Sequence, residues 1–211
     1  MISAALTRRA TLTAGLSLAA SGAKAQAMPL RIGVLNDQSG PYSAYTGSGS
    51  TVAARMAAED FGGTVLGRPI EILFADHQNK PDVGAALVRQ WIDRRDVRLI
   101  TDVGHSAVAL AVQQLIREKN RFAIYTAVGT TQITGEACTP TGYSWCYDAY
   151  ALINGLAHVV AQIGGDSWFL VVADYTFGYS LEAEARAAIA RNGGKVAGSV
   201  RHPENTSDFG S

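Results

Sequence analysis

The chain has 211 residues, with 18 basic and 18 acidic side chains and a formal net charge of zero. This balance gives no electrostatic footprint for a nucleic acid or for an anionic membrane surface. The length allows one large hydrophobic core, or one complete lobe and part of another.

Residues 1–27 have the composition of an export signal. The pair Arg8-Arg9 precedes an apolar run from Ala10 to Ala20, and Ala25-Gln26-Ala27 follows as a cleavage site. The run is too short to span a bilayer, which takes about 18 apolar residues. Its modest hydrophobicity and the paired arginines favour the twin-arginine route. Removing this segment leaves 15 basic and 18 acidic side chains, and the predicted location is the periplasm.

The next part of the chain alternates short apolar runs with helical periodicity, which is typical of βαβ units and a parallel sheet. Asn79 and Lys80 provide capping chemistry before a helix whose first turn carries Pro81. The predicted strands are 31–36, 70–75, 97–103 and 121–126, and the predicted helices are 47–61, 81–94 and 106–118.

Residues 127–146 lack a long period and are rich in Gly, Thr and Pro, so they predict a functional loop or a crossover. The two cysteines of the chain, Cys138 and Cys146, lie here. In an oxidising compartment they are expected to form a disulfide that closes a short loop, and two unrelated thiols are the alternative. Their spacing lacks the close Cys/His pairs of a zinc site, so no metal is expected.

A second series of predicted elements follows: helix 149–163, strand 167–173, helix 177–192 and strand 195–200. Asp174 follows its first strand as Asp37 follows strand 31–36, so two lobes of one plan are expected. The predicted division is lobe I over 28–148 and the first part of lobe II over 149–211. A parallel sheet needs both faces covered, and the second lobe is therefore expected to be truncated.

Aromatic residues recur at the ends of the predicted strands or in the turns that follow them, namely Tyr42, Tyr45, Tyr125, Tyr175 and Phe177. Carboxyl ends of strands in an open α/β sheet are where small ligands bind. These rings are therefore candidates for the mouth of a ligand cleft, with packing between the lobes as the alternative.

Gly104-His105-Ser106-Ala107-Val108 lies at a predicted strand-to-helix turn, where a Gly-x-Ser-x-Gly elbow presents a nucleophilic serine. Val108 replaces the last glycine, which weakens the prediction of a secreted serine hydrolase using Ser106. The Ser106 hydroxyl and the first amides of helix 106–118 are better suited to hold a carboxylate. An ordinary helix cap is the third interpretation.

The chain resembles the periplasmic substrate-binding proteins of branched-chain amino-acid type ABC transporters over essentially all of residues 30–211. The resemblance rests on five short motifs in order after an export signal. They are Ser39-Gly-Pro41, Gly67-Arg-Pro-Ile-Glu71, Ser106-Ala-Val-Ala-Leu-Ala-Val112, Cys138-Thr-Pro140 with Tyr147-Asp148, and Asp174-Tyr-Thr-Phe-Gly178.

This resemblance implies two Rossmann-like α/β lobes with parallel sheets, closing on a ligand between them. Implied ligand contacts are Tyr45, His105, Ser106, Ala127, Gly129 and Phe177. His105 stands where amino-acid binders carry a small hydroxyl residue and Gly129 where they carry Thr, which weakens the expectation of a leucine-type ligand. Relatives also include binders of amides, urea and aromatic acids.

The expected function is non-enzymatic. A monomeric, exported receptor without a cofactor would capture a small amino acid, amide or carboxylate, and would deliver it to a membrane permease. A periplasmic sensing module that reports to a signalling partner is the alternative from another class.

Overall fold

The computed structural model describes residues 27–206 and 208–209. The predicted export signal therefore lies almost wholly outside the described residues. We call residues 30–148 the larger part of the molecule and residues 149–206 the smaller part.

The larger part is built on a six-stranded sheet in the order β2-β3-β1-β4-β5-β6. All neighbouring strands are parallel except β2 and β3, which pair in antiparallel fashion. The strands are β1 Leu30–Asn36, β2 Thr64–Val65, β3 Arg68–Asp76, β4 Val97–Asp102, β5 Phe122–Tyr125 and β6 Gly142–Ser144.

Helices cover this sheet and complete its βαβ units. They are α1 Ser43–Thr46, α2 Ser48–Asp60, α3 Pro81–Arg95 and α4 Ser106–Lys119, and a 3₁₀ turn spans Thr131–Ile133. The predicted strands and helices of this part are confirmed to within a few residues. The short elements α1, β2 and β6 were not predicted, because two to four residues carry no measurable period.

The hydrophobic core of the larger part lies between the sheet and helices α3 and α4. Val34, Leu35 and Ile100 on the central strands are completely buried. Gly33 on β1 faces Trp91 of α3 so closely that a Cβ atom would come within 2.5 Å of the indole ring. A glycine at this position therefore lets the indole ring of Trp91 approach the backbone of β1 closely.

The smaller part contains α5 Ala149–Gln162, β7 Ser167–Ala173, α6 Thr176–Arg191 and β8 Lys195–His202. Strands β7 and β8 pair in parallel as a separate two-stranded sheet. All four elements were predicted. Many apolar side chains of β7 and α5 stay exposed, including Phe169 at 63% and Val171 at 64%.

Strand order decides where a ligand can enter. The chain proceeds from β1 to β3 on one side and from β3 back to β4 on the other. Loops after β1 and β4 therefore diverge, and a crevice opens between them at the carboxyl ends of the strands. No helix among the described residues is long and apolar enough to cross a membrane.

Candidate functional site

A cavity of about 290 Å³ lies at this crevice, between the strand ends of the larger part and the start of α6. Its lining residues come from both parts of the molecule. They are Tyr42, Tyr45, Gly104, Ser106, Ala127, Gly129, Tyr147, Tyr175 and Phe177.

A second cavity, of about 570 Å³, lies against the smaller sheet and is lined mainly by apolar side chains of α5, β7 and α6. It offers few polar groups that could orient a ligand. The 290 Å³ cavity at the strand ends is therefore the candidate site.

A polar network joins the strand ends beneath the cavity. The Asn36 side-chain amide donates to the Asp102 carboxylate at 2.9 Å, to the Gly47 carbonyl at 2.9 Å and to the Thr46 carbonyl. Asp102 also accepts from the Thr126 hydroxyl at 2.9 Å. The ends of β1, β4 and β5 are thus locked together with the loop that carries Tyr42 and Tyr45.

Asp37 organises the same loop from the other side. Its carboxylate accepts hydrogen bonds from the amides of Ser39, Gly40 and Tyr42 and from the Asn79 side chain, the shortest at 2.7 Å. Burial alone would raise the pKa of Asp37, but these four donors outweigh it and leave the pKa below its usual value. Asp37 therefore stays ionised and fixes the path of the chain into α1.

The turn between β4 and α4 is strained. Val103 has a φ of 55° and Asp102 a φ of 78°. A β-branched residue in this left-handed region costs about 1–3 kcal/mol and is held there by its surroundings. Here the Val103 amide donates to the Leu35 carbonyl at 2.8 Å. The bend turns the chain from the sheet into the N-terminus of α4, beside the cavity.

Ser106 is the first residue of α4 and lines the cavity although it is only 3% exposed. His105 precedes it as the N-cap, and its Nδ1 atom accepts from the Val108 amide. Among the described residues, nothing accepts a hydrogen bond from the Ser106 hydroxyl or from the amides of Ser106 and Ala107. Three donors are thus free at the positive end of a helix dipole, where an anion is favoured.

The loop after β5 faces these donors. Ala127 and Gly129 line the cavity, and the amides of residues 127–129 make no hydrogen bond to another described residue. A Cβ atom at Gly129 would lie 2.4 Å from the Phe177 ring. The absence of a side chain therefore lets the smaller part approach the loop and close the cavity with an aromatic ring.

Tyrosine hydroxyls are paired on two sides of the cavity. Tyr42 donates to Tyr175 at 2.9 Å across the two parts, and Tyr45 pairs with Tyr147 at 3.1 Å. The Tyr147 hydroxyl and partial burial raise the pKa of Tyr45 to about 12. Burial and the bond to Tyr175 also raise the pKa of Tyr42. Tyr42 and Tyr45 are therefore neutral at physiological pH, and the lining contains no Asp, Glu, Lys, Arg or His residue.

Five of the six predicted ligand contacts, all except His105, line the cavity together. His105 is 4% exposed, lies beside the cavity and pairs with Glu204 of the smaller part. The structure brings in Tyr147, which was not predicted as a contact, although the Tyr147-Asp148 motif was recognised. Tyr125 was predicted at the cleft mouth but is completely buried in the core. That expectation was wrong, because the alternation of β5 points Tyr125 toward α4 instead.

The predicted disulfide is not formed in the structure. Both cysteines are free, with Cys138 exposed and Cys146 half-buried. The Cys146 thiol donates to the Val128 carbonyl at 3.3 Å, and burial raises its pKa. The described residues contain no cluster of three or more potential metal ligands.

The site lacks the geometry of a serine hydrolase. A nucleophilic serine needs a base within hydrogen-bonding distance. His105 is adjacent in sequence, but its two ring nitrogens face the Val108 amide and the Glu204 carboxylate. No other described histidine contacts Ser106. The arrangement is suited to holding a ligand and not to activating the hydroxyl.

Two mostly parallel sheets that meet at an aromatic cleft are typical of type I periplasmic binding proteins. The sequence pattern of the family described as periplasmic binding protein matches residues 29–211. The chain belongs to this family, and the resemblance seen in its sequence is confirmed.

Individual relatives show the same architecture. A crystal structure of a periplasmic binding protein from Burkholderia mallei is 42% identical, with a TM-score of 0.84 over 86% of this chain and 48% of that one. A solute-binding protein of an ABC transporter from R. palustris, in complex with 4-hydroxybenzoate, is 25% identical. Its TM-score is 0.76 over 86% of this chain and 49% of that one.

Among curated proteins, the Leu/Ile/Val-binding protein homolog 6 of Brucella abortus (strain 2308) is 26% identical over 94% of this chain and 50% of its own length. The chain thus spans about half the length of the relatives that it matches.

Proposed function

We propose that this protein is an exported solute-binding receptor of an ABC importer. It captures a small carboxylate in the cleft and delivers it to a membrane permease as a periplasmic monomer. The observation that carries the proposal is an uncharged, aromatic cavity between two parts of the molecule, with free amides and the free Ser106 hydroxyl at one end. Ligand that touches both parts favours the closed arrangement, because those contacts exist only there.

The lining favours a monocyclic aromatic carboxylate over a free amino acid. An amino acid brings an ammonium group, and burying that charge without an acidic partner is costly. None of the lining residues is acidic, whereas five are aromatic. A volume of about 290 Å³ is at the small end of ligand cavities, which suits a single ring. The R. palustris relative in complex with 4-hydroxybenzoate supports the same choice.

In the proposed pose, the carboxylate lies between the α4 N-terminus and the loop 127–129. It accepts hydrogen bonds from the Ser106 hydroxyl and from backbone amides. The ring lies between Tyr45 on one side and Phe177 on the other. Neutral tyrosine hydroxyls are available to a polar substituent on the ring.

Calorimetric titration with benzoate, 4-hydroxybenzoate, benzamide and leucine tests this proposal. We expect the two carboxylates to bind and leucine to bind at least about tenfold more weakly, because an unpaired ammonium costs more than 1.4 kcal/mol. Benzamide should be intermediate, since it lacks the negative charge. Absence of binding by all four compounds would argue against the receptor function.

Ser106→Ala removes one donor to the carboxylate and should weaken 4-hydroxybenzoate binding about tenfold. Ser48→Ala is the matched control, because Ser48 is exposed in the first turn of α2, away from the cavity. Equal affinities for the two variants would remove Ser106 from the site. Turnover of an activated ester that disappears in Ser106→Ala would instead support a hydrolase.

A further inference from the structure

His105 and Glu204 form a largely buried contact between the two parts of the molecule. The His105 Nε2 atom lies 3.1 Å from Glu204 Oε1 and 3.4 Å from Oε2. Their side chains are only 3% and 19% exposed. Glu204 follows β8, so this contact exists only when the smaller part approaches the strand ends of the larger part.

The two nitrogens of His105 have different partners, and this fixes its tautomer. Nδ1 accepts from the Val108 amide and cannot carry a proton while it does so. The proton of the neutral ring must then be on Nε2, where it needs an acceptor. Among the described residues, Glu204 is the acceptor for that proton.

Other titratable groups around the ring do not take this role. Tyr42, Tyr175 and His77 face it with ring centroids 6.3, 5.1 and 6.3 Å away. The two tyrosine hydroxyls are hydrogen-bonded to each other. Burial, with His105 nearby, lowers the pKa of His77 to about 4, so His77 is neutral. The His77 Nδ1 atom accepts from the backbone amide of Asn79.

The tautomer of His105 decides how α4 begins. The Nδ1 atom caps the helix by accepting from the Val108 amide. The Ser106 hydroxyl and the amides of Ser106 and Ala107 therefore stay available to a ligand in the cavity. Besides the free amides at the N-terminus of α4, the Ser106 hydroxyl also indicates a ligand at this end of the cavity. Its residue is 97% buried and lines the cavity, and the hydroxyl has no partner among the described residues. With the proton on Nδ1 instead, the ring would repel the Val108 amide, and the first turn of α4 would loosen.

We propose that Glu204 is a positioning residue for the carboxylate end of the cleft. By accepting the Nε2 proton of His105 when the two parts close, it fixes the tautomer that caps α4 and orders the donors around Ser106. Glu204 does not line the cavity and does not touch the ligand. The approach of the two parts and the affinity of the site for a carboxylate are thereby coupled through the side chain of Glu204. This inference rests on the proposed function of the cleft.

Nitrogen-15 NMR of the histidine rings at pH 8 tests the tautomer directly, without any ligand. We expect the Nε2–H tautomer of His105 in the wild type and in Glu204→Gln, because the glutamine carbonyl also accepts a hydrogen bond. In Glu204→Ala we expect a mixture of tautomers and faster hydrogen exchange at the Val108 amide. Glu59→Gln, an exposed residue on α2, controls for loss of a negative charge.

Binding of 4-hydroxybenzoate gives the functional readout on the same proteins. Glu204→Ala should weaken it about fivefold to tenfold, whereas Glu204→Gln should stay within about twofold of the wild type. Unchanged tautomer, exchange and affinity in Glu204→Ala would overturn the inference. If the wild type binds none of the four test compounds, the receptor proposal fails, while the tautomer measurement still decides the role of Glu204.

A double variant separates positioning from a general loss of stability. Asn is a good N-cap and needs no outside acceptor to take the correct form. In a His105→Asn background, Glu204→Ala should therefore have no further effect on 4-hydroxybenzoate binding. A similar loss in both backgrounds would show that Glu204 acts independently of His105 and would contradict the inference.

Discussion

The larger and smaller parts use the same strand-turn-helix plan but bury their apolar residues to very different degrees. Around β1 and β4, Leu35, Ile100 and Val108 are completely buried between sheet and helices. Phe169, Val171 and Val200 on β7 and β8 are each about half exposed or more. A parallel sheet is stabilised by helices on both faces, and the described residues provide both layers only for the larger part. The comparison predicts that stability resides in the larger part, whereas the smaller part contributes Phe177 and Tyr175 to the lining of the cavity.

Truncating one buried residue of the larger sheet and one exposed residue of the smaller sheet should give the largest difference in the free energy of unfolding. Ile100→Ala leaves a cavity in the central strand and should lower the free energy of unfolding by about 2–5 kcal/mol. Val171→Ala, on a residue 64% exposed, should lower it by less than about 0.5 kcal/mol. Urea unfolding followed by circular dichroism measures both. Similar losses would mean that the smaller sheet is as well packed as the larger one.

The aspartates that follow the first strand of each part offer a second contrast. Asp37 is buried with four hydrogen-bond donors, whereas Asp174 is exposed and accepts one, from Tyr179 at 2.8 Å. Asp37→Asn should therefore cost about 1–3 kcal/mol, and Asp174→Asn about 0.5 kcal/mol or less.

The acid dependence of stability follows from the lowered pKa of Asp37. A carboxyl with a depressed folded-state pKa stabilises the protein above its unfolded pKa of about 3.9, and the contribution is lost as pH falls through the folded value. Urea unfolding at pH 6 and below pH 4 should show this loss in the wild type and a smaller one in Asp37→Asn. An equal acid loss in Asp37→Asn would assign the effect to other carboxyls.

A neutral or stabilising effect is expected at Tyr125. Its side chain is completely buried in the larger part, and its hydroxyl has no hydrogen-bond partner among the described residues. Burial also raises its pKa, because a phenolate could not be solvated there. Tyr125→Phe should thus be neutral or stabilising by up to about 1 kcal/mol in thermal unfolding. Tyr150→Phe, on an exposed residue of α5, is the control, and a clear destabilisation by Tyr125→Phe would indicate an unseen partner.

Local patterns determined the order and type of the long elements. Periods of two and 3.6 residues placed the long strands and helices of both parts within a few residues of their observed bounds. The same patterns placed Tyr45, Ser106 and Phe177 at strand ends, where the topology of an α/β sheet makes a cleft. These features depend on neighbours in sequence, which is why sequence alone predicts them.

Partners that are distant in sequence could not be predicted in this way. Asn79 and Lys80 were expected to cap α3, but the N-cap residue Lys80 makes no side-chain hydrogen bond to the helix. The side-chain amide of Asn79 donates to Asp37 at 2.8 Å. The two cysteines that were expected to form a disulfide are free in the structure, and the Cys146 thiol donates to the Val128 carbonyl. His105, which is predicted to contact ligand, also meets Glu204, 99 residues away, and this partner could not be predicted.

The sequence by itself determined the α/β class, because strand ends and helix starts follow from local periodicity, and its short motifs carried the resemblance to the family that implied five of the cavity residues. Tertiary structure alone decided which side chains pair across the cleft. Tyr42 meets Tyr175 and His105 meets Glu204 only after two sheets fold and approach each other. Such contacts depend on the relative placement of whole elements, which no local pattern encodes.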